Sequence, residues 1–180
     1  MRKVYLTWRQ VQGHCIEIAR QLQQGNWRPD YIVGITRGGS IPAVLISQYL
    51  NVRCEMLKVS LRNDENTESN LWMAEDAFGY VPKDERIDSD LETEIARRKN
   101  ILIVDDINDT GATIGWIKKD WTSGCLPRSH VWDNVWHNNV KFATIVSNES
   151  STHEVDYSAV QINKLDDPQW VVFPWEDWWR

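Results

Sequence analysis

The chain has 180 residues, 42% of them hydrophobic and 26% charged; at roughly 150 residues per domain this makes one compact unit with an elaboration and excludes the core-poor composition of a disordered chain. Twenty basic against twenty-six acidic side chains leave a net charge of −6, the wrong sign for gripping a phosphate backbone, so nucleic acid is not expected as a partner. Apolar runs fall short of the roughly 20 residues of a membrane helix and Met1 to Gln10 lacks an apolar signal-like stretch, so no membrane partner is expected and the chain is read as cytoplasmic, in a host's cytoplasm if viral.

Thr7 and Gln10 stand at capping-box spacing, and Val11, Cys15, Ile18 and Leu22 follow at helical steps, predicting a first helix that stops at Gly25. Tyr31 to Ile35 is a short apolar run suited to a buried strand, followed by the polar turn Thr36-Arg37-Gly38-Gly39-Ser40. A second helix is expected from there, with Ser40 as N-cap, Pro42 in the first turn and Ala43 to Leu50 as its apolar body. Cys54 to Ser60 reads as another strand. Residues 61–96 then gather eleven acids against three basic residues, Arg62, Lys83 and Arg86, and are expected to form a flap or insertion with partial helix.

Asn100 to Val104 is a third strand, nearly continuous in apolar residues, and it runs directly into Asp105-Asp106-Ile107-Asn108-Asp109-Thr110-Gly111-Ala112-Thr113. Ile114, Ile117 and Trp121 then take helical spacing. Trp132 and Trp136 are spaced for one helical face, Val140 to Ser147 and Tyr157 to Ile162 read as strands, and Trp170 to Arg180 gathers four of the eleven tryptophans around Pro174. Repeated strand, turn and helix units predict an α/β fold: a central, mainly parallel sheet flanked by helices, with ligands beyond the carboxyl ends of the strands. Cys15, Cys54 and Cys125 are an odd set at wide spacing and read as reduced thiols. If one helix carried both, His130 and His137 would lie about 10 Å apart along its axis, too far to chelate one metal unaided.

Adjacent carboxylates at the end of a buried strand repel and must each be solvated or paired, so Asp105 and Asp106 are a poor arrangement for stability alone. They suit a phosphorylated sugar. Carboxylates accept hydrogen bonds from a vicinal diol, while backbone amides and hydroxyls of Thr110 to Thr113 can receive a phosphate at a helix N-terminus. Gly111 lets the backbone close around that phosphate.

The segment Ile101 to Thr113, ILIVDDINDTGAT, resembles the phosphoribosyl pyrophosphate (PRPP) motif of type I phosphoribosyltransferases. Thr36-Arg37-Gly38-Gly39 is similar to the family's pyrophosphate loop, and Gln169 to Glu176, QWVVFPWE, is similar to the C-terminal segment of the bacterial xanthine-guanine and hypoxanthine members. The resemblance implies a type I phosphoribosyltransferase fold in a single domain spanning 1–180, with 61–96 as flap or insertion and 140–180 as a base-binding hood. It implies transfer of 5-phosphoribosyl from PRPP to guanine, xanthine or hypoxanthine in purine salvage. Asp105 and Asp106 would hold the ribose hydroxyls and face Mg2+ carried by PRPP, and Asp109 would be the acid/base. Asp109, Thr110, Gly111, Ala112 and Thr113 would take the 5'-phosphate, and Thr36, Arg37, Gly38, Gly39 and Arg62 the pyrophosphate.

For the base, the resemblance implies Trp170 as stacking platform beside Val171. Asn148 stands where those relatives carry a lysine that reads the purine 6-oxo group; an amide can donate or accept, which leaves a 6-amino base open. Ser60-Leu61 stands where relatives often carry Ser-Tyr in the flap. Relatives form dimers or tetramers, so a homo-oligomer is expected. Two alternatives remain at this point: a regulator that keeps the PRPP site and acts on nucleic acid or a partner protein, and an enzyme for another base such as adenine.

Overall fold

The computed structural model describes residues 1–59, 71–79, 97–124, 130–176 and 179. Among these residues twelve elements follow in order: β1 (Arg2–Tyr5), α1 (Trp8–Gln24), β2 (Tyr31–Thr36), α2 (Ser40–Leu50), β3 (Cys54–Lys58), α3 (Leu71–Phe78), β4 (Ile101–Asn108), α4 (Ala112–Gly124), a 3-10 turn (His130–Asn134), β5 (Val140–Asn148), β6 (Tyr157–Ile162) and β7 (Gln169–Val172). Five strands form one parallel sheet in the order β3-β2-β4-β5-β6, and β1 pairs with β7 in a separate parallel ribbon.

The apolar runs explain why the sheet is covered on both sides. Successive side chains point to opposite faces of a strand. Tyr31, Val33, Ile35, Ile101 and Ile103 join Met73, Phe78, Ile117 and Trp121 in a core under α3 and α4. Ile32, Leu102 and Val104 join Val11, Ile18, Leu22 and Ile46 in a core under α1 and α2, which also takes Val171 and Phe173 from the β7 segment. The capping box forms as the sequence predicts: Thr7 Oγ1 accepts from the Gln10 backbone N–H at 3.2 Å and Gln10 Oε1 accepts from the Thr7 N–H at 2.8 Å. Gly25 ends the helix.

Strand β2 lies between β3, which follows it through α2, and β4. Because α2 and α4 serve cores on opposite faces, the connections leave β2 and β4 in opposite directions, opening a crevice at their carboxyl ends.

Three expectations change in detail, and one pairing is new. The acid pair lies within β4, because pairing with β5 continues through Asp105↔Thr144, Ile107↔Val146 and Asn108↔Ser147. Helix α2 starts one residue early, with Gly39 in place of Ser40 at the N-cap, since Gly39 is pressed against the Val104 carbonyl and Asp105. Trp132 and Trp136 belong to a 3-10 turn and the bridge after it, yet their rings stack 5.4 Å apart. The pairing of β1 with β7, absent from the sequence reading, joins the first strand to the segment carrying Trp170. Within 61–96 the described part, 71–79, contains the helix α3; the rest of that stretch and Cys125 lie outside the described residues.

Candidate active site

The crevice is built by two loops that meet. A β-carbon added at Gly38 would collide with the Asp106 carboxylate, so the loop after β2 can lie against the end of β4 only without a side chain there. Asp106 thereby becomes the common wall of three adjoining cavities. One, of about 560 Å³, is bounded by Arg37, Gly38, Ile41, Trp175, Glu176 and Trp179. A second, of about 250 Å³, runs along Asp105 to Ile114 with Thr144. The third, of about 140 Å³, is formed by Ile107, Asp109, Lys164, Trp170, Val171, Phe173 and Glu176.

Both acids of the pair are held by the strand's own amides. The Asp106 N–H donates to Asp105 Oδ1 at 2.9 Å and the Ile107 N–H to Asp106 Oδ1 at 2.8 Å. Burial, followed by the Asp106 charge, pushes the Asp105 carboxyl well above its ordinary range. Burial pushes Asp106 up to about 6, with the nearby Glu176 charge adding to the rise. Among the described residues neither acid forms an ion pair. Hard oxygen donors without a basic partner suit sugar hydroxyls and a hard cation.

The turn after β4 has the form of an anion cradle. Gly111 takes φ +86, and a β-carbon there would meet Thr152 Oγ1 at 2.5 Å and the His153 nitrogen at 2.8 Å. The Thr110 carbonyl accepts from the Thr152 N–H at 3.1 Å and from its hydroxyl at 2.8 Å, which fixes the loop from the β5–β6 side. Ala112 and Thr113 open α4, so the first helical amides face the cavity that Asp109 to Thr113 line. Thr144 Oγ1 is buried in this cavity's wall and, among the described residues, has no hydrogen-bond partner.

Asp105, Asp106 and Thr110 to Thr113 are thus brought together, and so are Arg37 and Gly38. Gly39 packs behind them, and the Thr36 hydroxyl is turned toward the β3 carbonyl of Leu57 at 3.4 Å. Arg62 lies outside the described residues. Trp170 is half-exposed on β7, beside Val171, and lines the small third cavity.

Asn148 is not brought to the cavity beside Trp170. Its side chain is buried and engaged within the protein: Nδ2 donates to the Asp109 carbonyl at 2.8 Å, while Oδ1 accepts from the Lys164 N–H at 3.1 Å and the Ser150 hydroxyl at 3.0 Å. It lines a separate polar cavity of about 380 Å³ and does not line the one beside Trp170. Sequence reasoning also missed Lys164 and Thr144, which belong to no local motif and reach the crevice only through the order of β5, β6 and β7, and it gave no role to Glu176 at the end of QWVVFPWE.

A parallel sheet whose switch point carries an acid pair, a glycine-closed anion cradle and an Arg-Gly-Gly loop is the arrangement expected of the phosphoribosyltransferase class. The chain belongs to the phosphoribosyl transferase domain family, whose model matches residues 2–177. The family expected from ILIVDDINDTGAT is therefore borne out. The chain is 26% identical to the xanthine-guanine phosphoribosyltransferase of Cereibacter sphaeroides, over 96% of this chain and 86% of that protein. Its identity to the enzyme of the same name from Nitratidesulfovibrio vulgaris is also 26%, over 97% and 86% of the two chains. Among solved structures, a purine phosphoribosyltransferase from Pyrococcus horikoshii superposes with a TM-score of 0.64 at 27% identity, covering 98% of this chain and 96% of the other. The Helicobacter pylori xanthine-guanine-hypoxanthine phosphoribosyltransferase shares the fold with a TM-score of 0.64 at 16% identity, over 98% and 95% of the chains.

Proposed function

We propose that the chain moves the 5-phosphoribosyl group of PRPP onto a ring nitrogen of guanine, xanthine or hypoxanthine, giving a nucleoside 5'-monophosphate and pyrophosphate. The observation that carries this reading is the position of Asp106 between three cavities, each suited to one part of the reactants. The relatives named as xanthine-guanine phosphoribosyltransferases support the choice of base.

The cavity along Asp109 to Thr113 receives the 5'-phosphate through turn amides and the Thr110, Thr113 and Thr144 hydroxyls. Asp105 and Asp106 accept from the ribose hydroxyls and set negative charge beside the carbon that becomes cationic as its bond to pyrophosphate stretches. The Thr36 to Gly39 loop, with the Arg37 guanidinium, receives the departing pyrophosphate. Trp170 supplies a flat apolar face for the base, and Asp109 takes the proton that the base releases. Most of the barrier is removed by holding nucleophile and sugar in line.

Among the described residues no cluster of three or more His, Cys, Asp or Glu side chains encloses an ion site. Mg2+ fits as an ion carried by PRPP oxygens and faced by Asp105 and Asp106, a few-ligand mode common for this cation. Bound so, it would neutralise pyrophosphate charge. The chain acts as one domain in which 140–180 forms the base-binding hood, works as a dimer or tetramer in the cytoplasm, and takes part in purine salvage. Among the described residues no helix is long and apolar enough to cross a membrane. The test is pyrophosphate release from Mg-PRPP with a panel of purines, pyrimidines and nicotinamide-like bases. Release with oxopurines is expected; release with no base would overturn the activity.

A further inference from the structure

Lys118 on α4, His137 before β5 and Asp156 before β6 come together although none of them lines the crevice. Asp156 Oδ2 is 3.2 Å from His137 Nδ1, and His137 Nε2 is 3.2 Å from Lys118 Nζ. An ionised carboxylate only accepts, so Nδ1 carries the imidazole proton and Nε2 presents its lone pair to the amine. The Phe142 N–H donates to the same Asp156 oxygen at 2.8 Å, which ties that carboxylate to β5. His137 has φ +61, a left-handed backbone that residues other than glycine adopt rarely and keep only where the surroundings impose it. The fold thus accepts strain at the residue that joins acid to amine.

Aromatic rings stand beside the amine, with Nζ 5.8 Å from the centre of Trp136 and 5.6 Å from that of Phe142. Lys118 is partly exposed and the His137 side chain is 41% exposed, so a solute can reach both. Burial holds Lys118 below the usual lysine range, with the Asp156 charge opposing the fall. The further titratable neighbour is His153 from the β5–β6 connection, where burial, then the charges of Lys118 and His137, keep the imidazole below its ordinary range. A lysine so placed holds more of its amine in the neutral, nucleophilic form.

We propose that Lys118 is a nucleophilic amine that takes an acyl group from a thioester, with His137 receiving its proton and Asp156 holding the imidazole in place. The neutral amine attacks the thioester carbonyl and the N–C bond forms. His137 Nε2 takes the N–H proton from the adduct, the C–S bond breaks, and the thiolate leaves with that proton as a thiol. Lysine becomes a neutral amide and the imidazole returns to its starting form. Acid, imidazole and nucleophile follow in the order of a hydrolytic triad, with an amine in the last place. Because the amide is stable, the product is a modified protein. Apolar rings beside the amine suit a thioester, whose reacting end is uncharged, over an acyl phosphate. The acylation is independent of the transfer proposed above.

The test treats the full-length protein with the small thioester S-acetyl-N-acetylcysteamine and follows acetylation of each lysine by mass spectrometry. Lys119, the next residue on the same helix and exposed, is the internal reference. At neutral pH Lys118 should react at least about tenfold faster than Lys119, below the span usual for general-base assistance. The excess should shrink in alkali, where every lysine becomes neutral. His137→Asn, chosen because asparagine tolerates a left-handed backbone, should remove most of the excess. Asp156 is a positioning residue, read by nitrogen NMR of the imidazole: wild-type His137 should carry its proton on Nδ1, and Asp156→Ala should divide it between the two nitrogens. Lys118 reacting no faster than Lys119 in the wild type overturns the proposal, whatever the variants do. An undiminished excess in His137→Asn overturns the role of the imidazole, and a wild-type His137 protonated on Nε2 overturns the hydrogen-bonded order.

Discussion

Asp105 and Asp106 are two neighbouring acids kept where burial works against their charge. A fold selected for stability alone would place amides there. Asp105→Asn combined with Asp106→Asn should lower kcat at least about a hundredfold, as loss of transition-state charge stabilisation does, while calorimetry shows the folded state intact. Unchanged turnover would remove the ribose assignment. The raised carboxyl also sets a pH dependence. A group whose folded pKa exceeds its unfolded value binds protons more tightly when folded, so stability falls as pH rises from the unfolded value of 3.8 through about 6. In the ligand-free protein the melting temperature of Asp106→Asn should therefore exceed that of the wild type by a margin that widens across this window. A margin that is flat with pH would show that burial does not disfavour the Asp106 charge. Trp170→Ala should raise KM for the base roughly tenfold, by loss of one stacking platform, and leave KM for PRPP unchanged in steady-state kinetics.

At the scale of elements, local patterns were legible and partnerships were not. The Thr7–Gln10 box, the β2 turn and the β4 acids announce themselves in sequence because their chemistry lies within a few residues. Strands β1 and β7, four residues each, carry no alternation long enough to read, since each is stabilised by the other across the whole chain. Lys164 was invisible for the same reason: its ion pair with Asp109 forms because the connection between β6 and β7 passes beside that acid. Position 148 was read as a substituted lysine because sequence shows residue type and hides hydrogen-bond partners. The Gly38 contact gives this scale its prediction. Gly38→Ala must push the loop away from Asp106, so PRPP affinity by calorimetry should fall, with kcat reduced and the fold retained. Full affinity in that variant would separate the loop from the pyrophosphate.

For the whole molecule, the strand order β3-β2-β4-β5-β6 puts the cavities proposed for the sugar and for the acceptor on different parts of the chain. The acid pair and anion turn come from β4 and α4, whereas the acceptor cavity borrows Lys164, Trp170 and Glu176 from the last quarter. The ribbon of β1 with β7 steadies that last quarter, with the Leu6 N–H donating to the Val172 carbonyl at 2.9 Å. Leu6→Pro removes this donor. It should raise KM for the base while sparing KM for PRPP; equal rises in both would mean that the ribbon supports the whole crevice.

That ribbon also orders events during biosynthesis. Strand β1 is separated from β7 by all the other strands and must wait for the intervening residues to be made before its partner emerges, whereas β2 and β4 find each other much sooner. The half of the crevice proposed to hold the activated sugar can thus assemble on the nascent polypeptide, and the half proposed for the acceptor is completed later.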